Sequence, residues 1–121
     1  MDPVRVLIVD DQETFLRAMR AVVKATDGFV LVGEARSGEQ SLQAAETMAP
    51  DLVLMDVHLP GLDGIEATRL LTTSPHAPVV LLLSTYPADR VDAAGCGAAA
   101  YLEKAGFGPD RLSAAWAAVG D

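Results

Sequence analysis

The chain has 121 residues, half of them hydrophobic, and 17 acidic against nine basic side chains give a formal net charge of −8. That length fits one domain with its own core, and the negative balance argues against nucleic-acid binding, which needs clustered positive charge. The lone Cys96 rules out an internal disulfide and a multi-cysteine metal cluster, and no apolar run approaches the roughly 20 residues of a membrane span, so a soluble, cytoplasmic domain is expected.

Residues 4–9, VRVLIV, are short and β-branched and predict a buried strand. Residues 11–26 place Phe15, Leu16, Met19, Val22 and Val23 on one helical stripe, closed by Asp27 and Gly28. A second strand follows over 29–35, and its Gly33 and Glu34 suit a sheet edge. Ser37 with Gln40 makes a capping-box pattern for a helix running to about Met48 before Pro50. DLVLM, 51–55, is the third strand, and Asp63 with Glu66 caps a third helix carrying Ile65, Leu70 and Leu71. PVVLLLS, 78–84, is apolar throughout and predicts a strand covered on both faces. Pro87 is placed to start a fourth helix, which Gly95 and Gly97 weaken. A fifth strand is read over 98–104, and a last helix opens at Pro109 with Leu112, Trp116 and Val119 on one face. Five alternations of strand and helix imply an α/β fold with a parallel sheet between helices.

In such sheets the chemistry gathers at the carboxyl ends of the strands. Those ends carry Asp10 and Asp11, Asp56, Ser84 and Thr85, and Glu103 and Lys104. Singly, each has a plain structural explanation as a helix cap, a loop starter or a solvated cation. Together they are explained by one site. Three carboxylates on one rim repel unless a cation sits among them. Hard oxygen ligands without a His or Cys constellation suit Mg²⁺ rather than zinc. A carboxylate beside such a metal can attack a phosphoryl group, whose spreading charge Lys104 and the Ser84 hydroxyl would meet. After Asp56, Pro60 and Gly61 allow a sharp turn and Gly64 a tight entry into the next helix.

VLIVDDQ, DLVLMDVHLPGLDG, LLLST and AAAYLEK, in this order, resemble the receiver domain of bacterial two-component response regulators across essentially the whole chain, 1–121. The resemblance implies a single doubly wound, flavodoxin-like (βα)5 domain with strand order 2-1-3-4-5. It implies Asp56 as the phosphoryl acceptor, Asp11 as a direct Mg²⁺ ligand, Asp10 as a ligand through water, and the His58 backbone carbonyl as a further ligand. Ser84 and Lys104 match the switch hydroxyl and the site lysine, and Tyr101 the aromatic that follows the hydroxyl. A sensor histidine kinase would be the donor, and the receiver would catalyse only its own phosphorylation and slow dephosphorylation. The end of the chain, with Ala105 rather than proline after Lys104, resembles the NarL/LuxR-type subgroup, in which a C-terminal helix-turn-helix domain binds DNA; that domain is expected beyond this chain, with a stand-alone receiver as the alternative. Ala114, Ala115, Ala117 and Ala118 around Trp116 are read as helix-favouring residues over a core tryptophan, with a homodimer contact as the alternative. The stretch from Ser84 to Lys104 is shorter than usual for the family, so a short or frayed fourth helix is expected. Two other readings compete: a receiver that serves as an interaction module without phosphorylation, and a Mg²⁺-dependent phosphatase. The latter would want a second acid two residues after its first-strand nucleophile, where Gln12 stands.

Overall fold

The computed structural model describes residues 2–119; the extreme ends of the expected domain lie outside them. The strands are β1 (Val4–Val9), β2 (Phe29–Ala35), β3 (Leu52–Asp56), β4 (Val79–Ser84) and β5 (Ala100–Glu103), and the helices are α1 (Glu13–Ala25), α2 (Gly38–Met48), α3 (Gly64–Thr72), α4 (Asp89–Ala93) and α5 (Pro109–Val119). All neighbouring strands pair in parallel in the order β2-β1-β3-β4-β5, so the doubly wound, flavodoxin-like fold expected from the sequence is present.

The apolar runs do what their patterning predicts. Side chains alternate across a strand, and β3, buried at every position, feeds both faces. Val53 and Met55 join Leu7, Val9, Val80 and Leu82 in a core under α2 and α3. Leu52 and Leu54 join Val6, Ile8, Leu81 and Leu83 in a second core closed by Leu16, Met19 and Val23 of α1 and Leu112 of α5. Trp116 packs against this second core, edge-on to Phe29 with ring centroids 6.2 Å apart. Ser37 and Asp63 cap as expected, accepting the backbone N–H of Gln40 at 3.1 Å and of Glu66 at 2.8 Å.

The third helix carries Leu70 and Leu71 as read, with Leu70 47% exposed. Adjacent helical residues point about 100° apart, so Leu70 and Leu71 cannot both face the sheet, and Leu71 takes the core. Val119 is also exposed; it opens onto a shallow groove with Ala99, Ala100 and Ala118, where the small side chains of β5 leave little to pack on. β5 is four residues, 100–103, not seven, as alanine's weak strand preference allows. The fourth helix starts at Asp89, because Pro87 and Ala88 sit in a tight turn closed by the Asp89 N–H on Tyr86 O (3.1 Å). At five residues α4 is as short as the sequence suggests.

Candidate functional site

β1, β3 and β4 end side by side, which delivers Asp10, Asp56 and Ser84 to one edge of the sheet. Asp10 is fully buried and Asp56 is 4% exposed, while Asp11, one residue further out, faces solvent. One carboxylate oxygen from each of Asp10, Asp11 and Asp56 lies within 4.8 Å of the others. The expected trio therefore converges.

Two features of the main chain set this geometry. The Asp10 carboxylate turns back to accept the Gln12 N–H at 3.0 Å, which fixes its rotamer at the start of α1. After Asp56, Gly61 takes a left-handed φ of +67°, and Gly64 N–H donates to Val57 O at 2.8 Å. A Cβ on Gly64 would stand 1.9 Å from the Asp56 carbonyl oxygen, so only glycine lets α3 start this close to the strand end. That contact explains why breakers follow a buried strand.

Lys104 closes the site from β5. Its backbone N–H donates to Ser84 O at 2.9 Å, anchoring it to β4. Its ammonium donates to Asp10 Oδ2 at 2.8 Å, stands 3.1 Å from Asp56 Oδ1, and lies over the Phe15 ring, 3.7 Å from the centroid. Burial, reinforced by the negative charge of Asp10, pushes the Asp56 carboxyl up to about 6, against the opposing pull of Lys104. The site holds more negative charge than its single ammonium offsets.

Ser84 is placed differently. Its hydroxyl donates to Asp89 Oδ2, a very short contact, and accepts the Tyr86 N–H at 3.0 Å. The same Asp89 oxygen receives His58 Nε2 at 2.8 Å. The His58 side chain is thus turned toward α4, its ring edge-on to Tyr86. The Tyr101 hydroxyl donates to Tyr86 O at 2.7 Å, and its ring carries the Arg90 guanidinium 5.3 Å from the centroid. Thr85 and Glu103, also at strand ends, are exposed.

Two contributors escape sequence reasoning. Asp89 reads as an ordinary acidic residue in a first helical turn, and its 8% exposure follows from the turn at Pro87 and Ala88 that sets where α4 begins. Phe15 reads as part of the α1 core stripe, but its face is turned to the Lys104 ammonium.

The model of the response regulator receiver domain family matches residues 6–117. Among curated proteins, the chain is 41% identical over 106 residues to the response regulator GacA of Pseudomonas viridiflava, covering 84% of this chain and 48% of that protein. It is 37% identical over 112 residues to protein-glutamate methylesterase/protein-glutamine glutaminase 4 of Myxococcus xanthus, covering 90% of this chain and 31% of that one. The chain therefore spans less than half the length of these relatives. Among solved structures, it superposes on the signal receiver domain of the response regulator NarL from Mycobacterium tuberculosis with a TM-score of 0.89 and 27% identity, over 99% of this chain and 98% of that one. A LuxR-family two-component response regulator from Aurantimonas sp. SI85-9A1 follows with a TM-score of 0.86 and 29% identity, over 98% of this chain and 85% of that one.

Proposed function

Because the chain belongs to the response regulator receiver family, we propose that it is a phosphorylation switch whose phosphoryl acceptor is Asp56. The observation that carries this reading is the convergence of Asp10, Asp11 and Asp56 within 4.8 Å, beside the Lys104 ammonium.

Receiver domains bind Mg²⁺ at an acidic site, and an all-oxygen, carboxylate-rich set with a solvent-facing member suits an ion that keeps several waters. Asp11, Asp56 and the His58 carbonyl are assigned as direct ligands. Asp10, already engaged by Lys104 and the Gln12 N–H, is assigned to hold the ion through water. When bound, Mg²⁺ offsets the carboxylate repulsion and the charge on a transferred phosphoryl group.

The donor is a sensor histidine kinase. An ionised Asp56 oxygen attacks the phosphorus of its phosphohistidine; a P–O bond forms as the P–N bond breaks, and the imidazole leaves with the electron pair and takes a proton from water. Lys104 neutralises charge on the phosphoryl oxygens. Ser84 donates its hydroxyl to the same group, and Tyr101 moves into the space it leaves, which reshapes the surface of α4, β5 and α5. Water attack on phosphorus later resets the switch, with His58 and Tyr86 flanking its path. Beyond this self-reaction no catalysis is assigned to the domain.

The output is read as transcription control in the cytoplasm through a C-terminal helix-turn-helix domain, in keeping with the LuxR-family neighbour. DNA is then contacted by that domain and not by this one. The exposed Ala114, Ala117 and Ala118 face of α5 is the candidate homodimer contact. The similarity to a methylesterase favours one second reading, the same switch governing a catalytic partner domain. In the decisive experiment, labelled phosphodonor with Mg²⁺ yields an acid-stable, base-labile phosphoprotein; Asp56→Asn abolishes the label, and persistent label assigns the nucleophile elsewhere.

A further inference from the structure

α4 has only five residues, far below the dozen or so at which an isolated helix is even marginal in water. Its place depends on tethers. Two of its side chains provide them: Asp89, its first residue, reaches inward to Ser84 and His58, and Arg90, the next, lies over Tyr101. The helix thus grips both residues assigned to the switch.

The grip on Ser84 is exclusive. A serine hydroxyl has one proton to donate. Two acceptors lie near it, Asp89 Oδ2 and, at 3.2 Å, the Tyr86 carbonyl oxygen. The Tyr86 oxygen already accepts the Tyr101 hydroxyl at 2.7 Å, and the Asp89 contact is much the shorter of the two. The proton therefore points at α4. The arrangement is closed on the acceptor side as well, since Ser84 Oγ accepts the Tyr86 N–H at 3.0 Å. A phosphoryl group on Asp56 has to draw the hydroxyl out of an intact hydrogen-bonded set.

We propose that Asp89 is the positioning residue that sets the threshold of this switch: its carboxylate competes with the phosphorylated Asp56 for the single proton of Ser84, and losing that contest releases the first turn of α4. The inference rests on Asp56 being the acceptor. Once Ser84 turns away, the nearly buried Asp89 oxygen keeps only the His58 ring, and a poorly satisfied buried carboxylate moves toward water. α4 has no helical stability of its own to hold it there. Phosphorylation at one strand end is thereby coupled to disorder in the neighbouring helix through one oxygen atom.

The test uses beryllofluoride with Mg²⁺, a phosphoryl mimic that binds the acceptor aspartate, with binding followed by calorimetry and amide shifts, and hydrogen exchange read over residues 89–93. Asp89→Ala is expected to bind the mimic about tenfold more tightly than wild type, the worth of one charge-assisted hydrogen bond. Its α4 amides should exchange, without the mimic, as fast as those of the wild type with it. Ser84→Ala should bind more weakly, and adding Asp89→Ala to it should change nothing further. Asp89→Asn, which keeps the shape and a neutral acceptor, should show a smaller gain of about threefold and stands in if the alanine variant does not fold. Unchanged or weaker binding in the folded Asp89 variant overturns the proposal, as does a gain that survives in the Ser84→Ala background; either marks Asp89 as a purely structural start to α4. A wild-type protein that ignores the mimic overturns the acceptor assignment and this inference with it, whereas a responsive wild type with an indifferent Asp89 overturns this inference alone.

Discussion

The Lys104 ammonium lies 3.7 Å from the centroid of the Phe15 ring while it donates to Asp10 at 2.8 Å, so an aromatic face and a carboxylate hold one cation between them. The ring does more than fill the groove under α1. It shields one side of an ammonium that stands 3.1 Å from Asp56 Oδ1, and such contacts contribute roughly 0.5 to 2 kcal/mol. Phe15→Leu should keep the fold, lower stability by about 1 kcal/mol in urea denaturation, and slow labelling by a phosphodonor several-fold, while Phe15→Tyr keeps both near wild type. Equal labelling rates for the leucine and tyrosine variants would remove the ring from any positioning role.

Asp56 also makes stability depend on pH. Its folded-state value, about 6, lies above the ordinary 3.8 because burial and Asp10 disfavour the charge. A raised value means that the folded state binds the proton more tightly than the unfolded chain does. The stabilisation is therefore complete below the ordinary value and is lost as pH rises through about 6. The shift corresponds to roughly 2 to 3 kcal/mol. Without Mg²⁺, the stability difference between Asp56→Asn and wild type should grow in favour of the variant between about pH 4 and pH 8. A difference that stays flat over that range would show that Asp56 is not held above its ordinary value.

Metal binding should run the opposite way. Mg²⁺ competes with the proton on Asp56, so its effect on melting temperature should be small near pH 5 and large near pH 8. Asp11→Asn removes an assigned ligand that is solvent-facing in the folded protein and should lower Mg²⁺ affinity by about tenfold or more with little change in metal-free stability. Calorimetric titration at the two pH values checks both statements; wild-type affinity in Asp11→Asn would remove that residue from the site.

Gly64 tests the backbone beneath Asp56. Its missing Cβ is what lets α3 begin against the Asp56 carbonyl, where any added carbon would stand 1.9 Å away. Gly64→Ala must push the loop or the strand end aside. We expect a loss of about 2 kcal/mol or more in thermal denaturation, together with weaker Mg²⁺ binding. Gly95→Ala makes a useful contrast: its φ of +77° is strained for alanine, but nothing lies within 4 Å of the added carbon. Its effect should stay local to the end of α4 and leave metal binding alone.

The sheet was readable because buried parallel strands leave a strong signal. VLIV, LVLM and VVLLLS have few alternatives to a doubly covered strand, and their ends put Asp10, Asp56 and Ser84 on one edge before any coordinate is known. Lys104 had weaker support, since it ends the alanine-rich AAAYLEK run, whose strand the structure shortens to 100–103. What could not be read is where side chains turn once the edge is formed. Nothing in TYPADRVD distinguishes Asp89 from Asp92, yet the first is buried against Ser84 and the second faces solvent. The difference comes from the turn at Pro87, closed by 3.1–3.2 Å backbone bonds, which delays the helix by two residues and rotates Asp89 inward. Which of Leu70 and Leu71 is buried was unreadable for a related reason: hydrophobicity marked two adjacent residues, and helical geometry admits one.

The backbone bond from Lys104 N–H to Ser84 O, 2.9 Å long, has a consequence of its own. It makes the cation and the hydroxyl parts of one hydrogen-bonded ladder rather than two independent side chains on mobile loops. The exteriors of α1 and α5 can then be rewritten to suit a new interlocutor while the corner that holds Asp10, Asp56 and Lys104 keeps its shape. An engineer could graft foreign recognition surfaces onto this scaffold and leave its chemistry untouched.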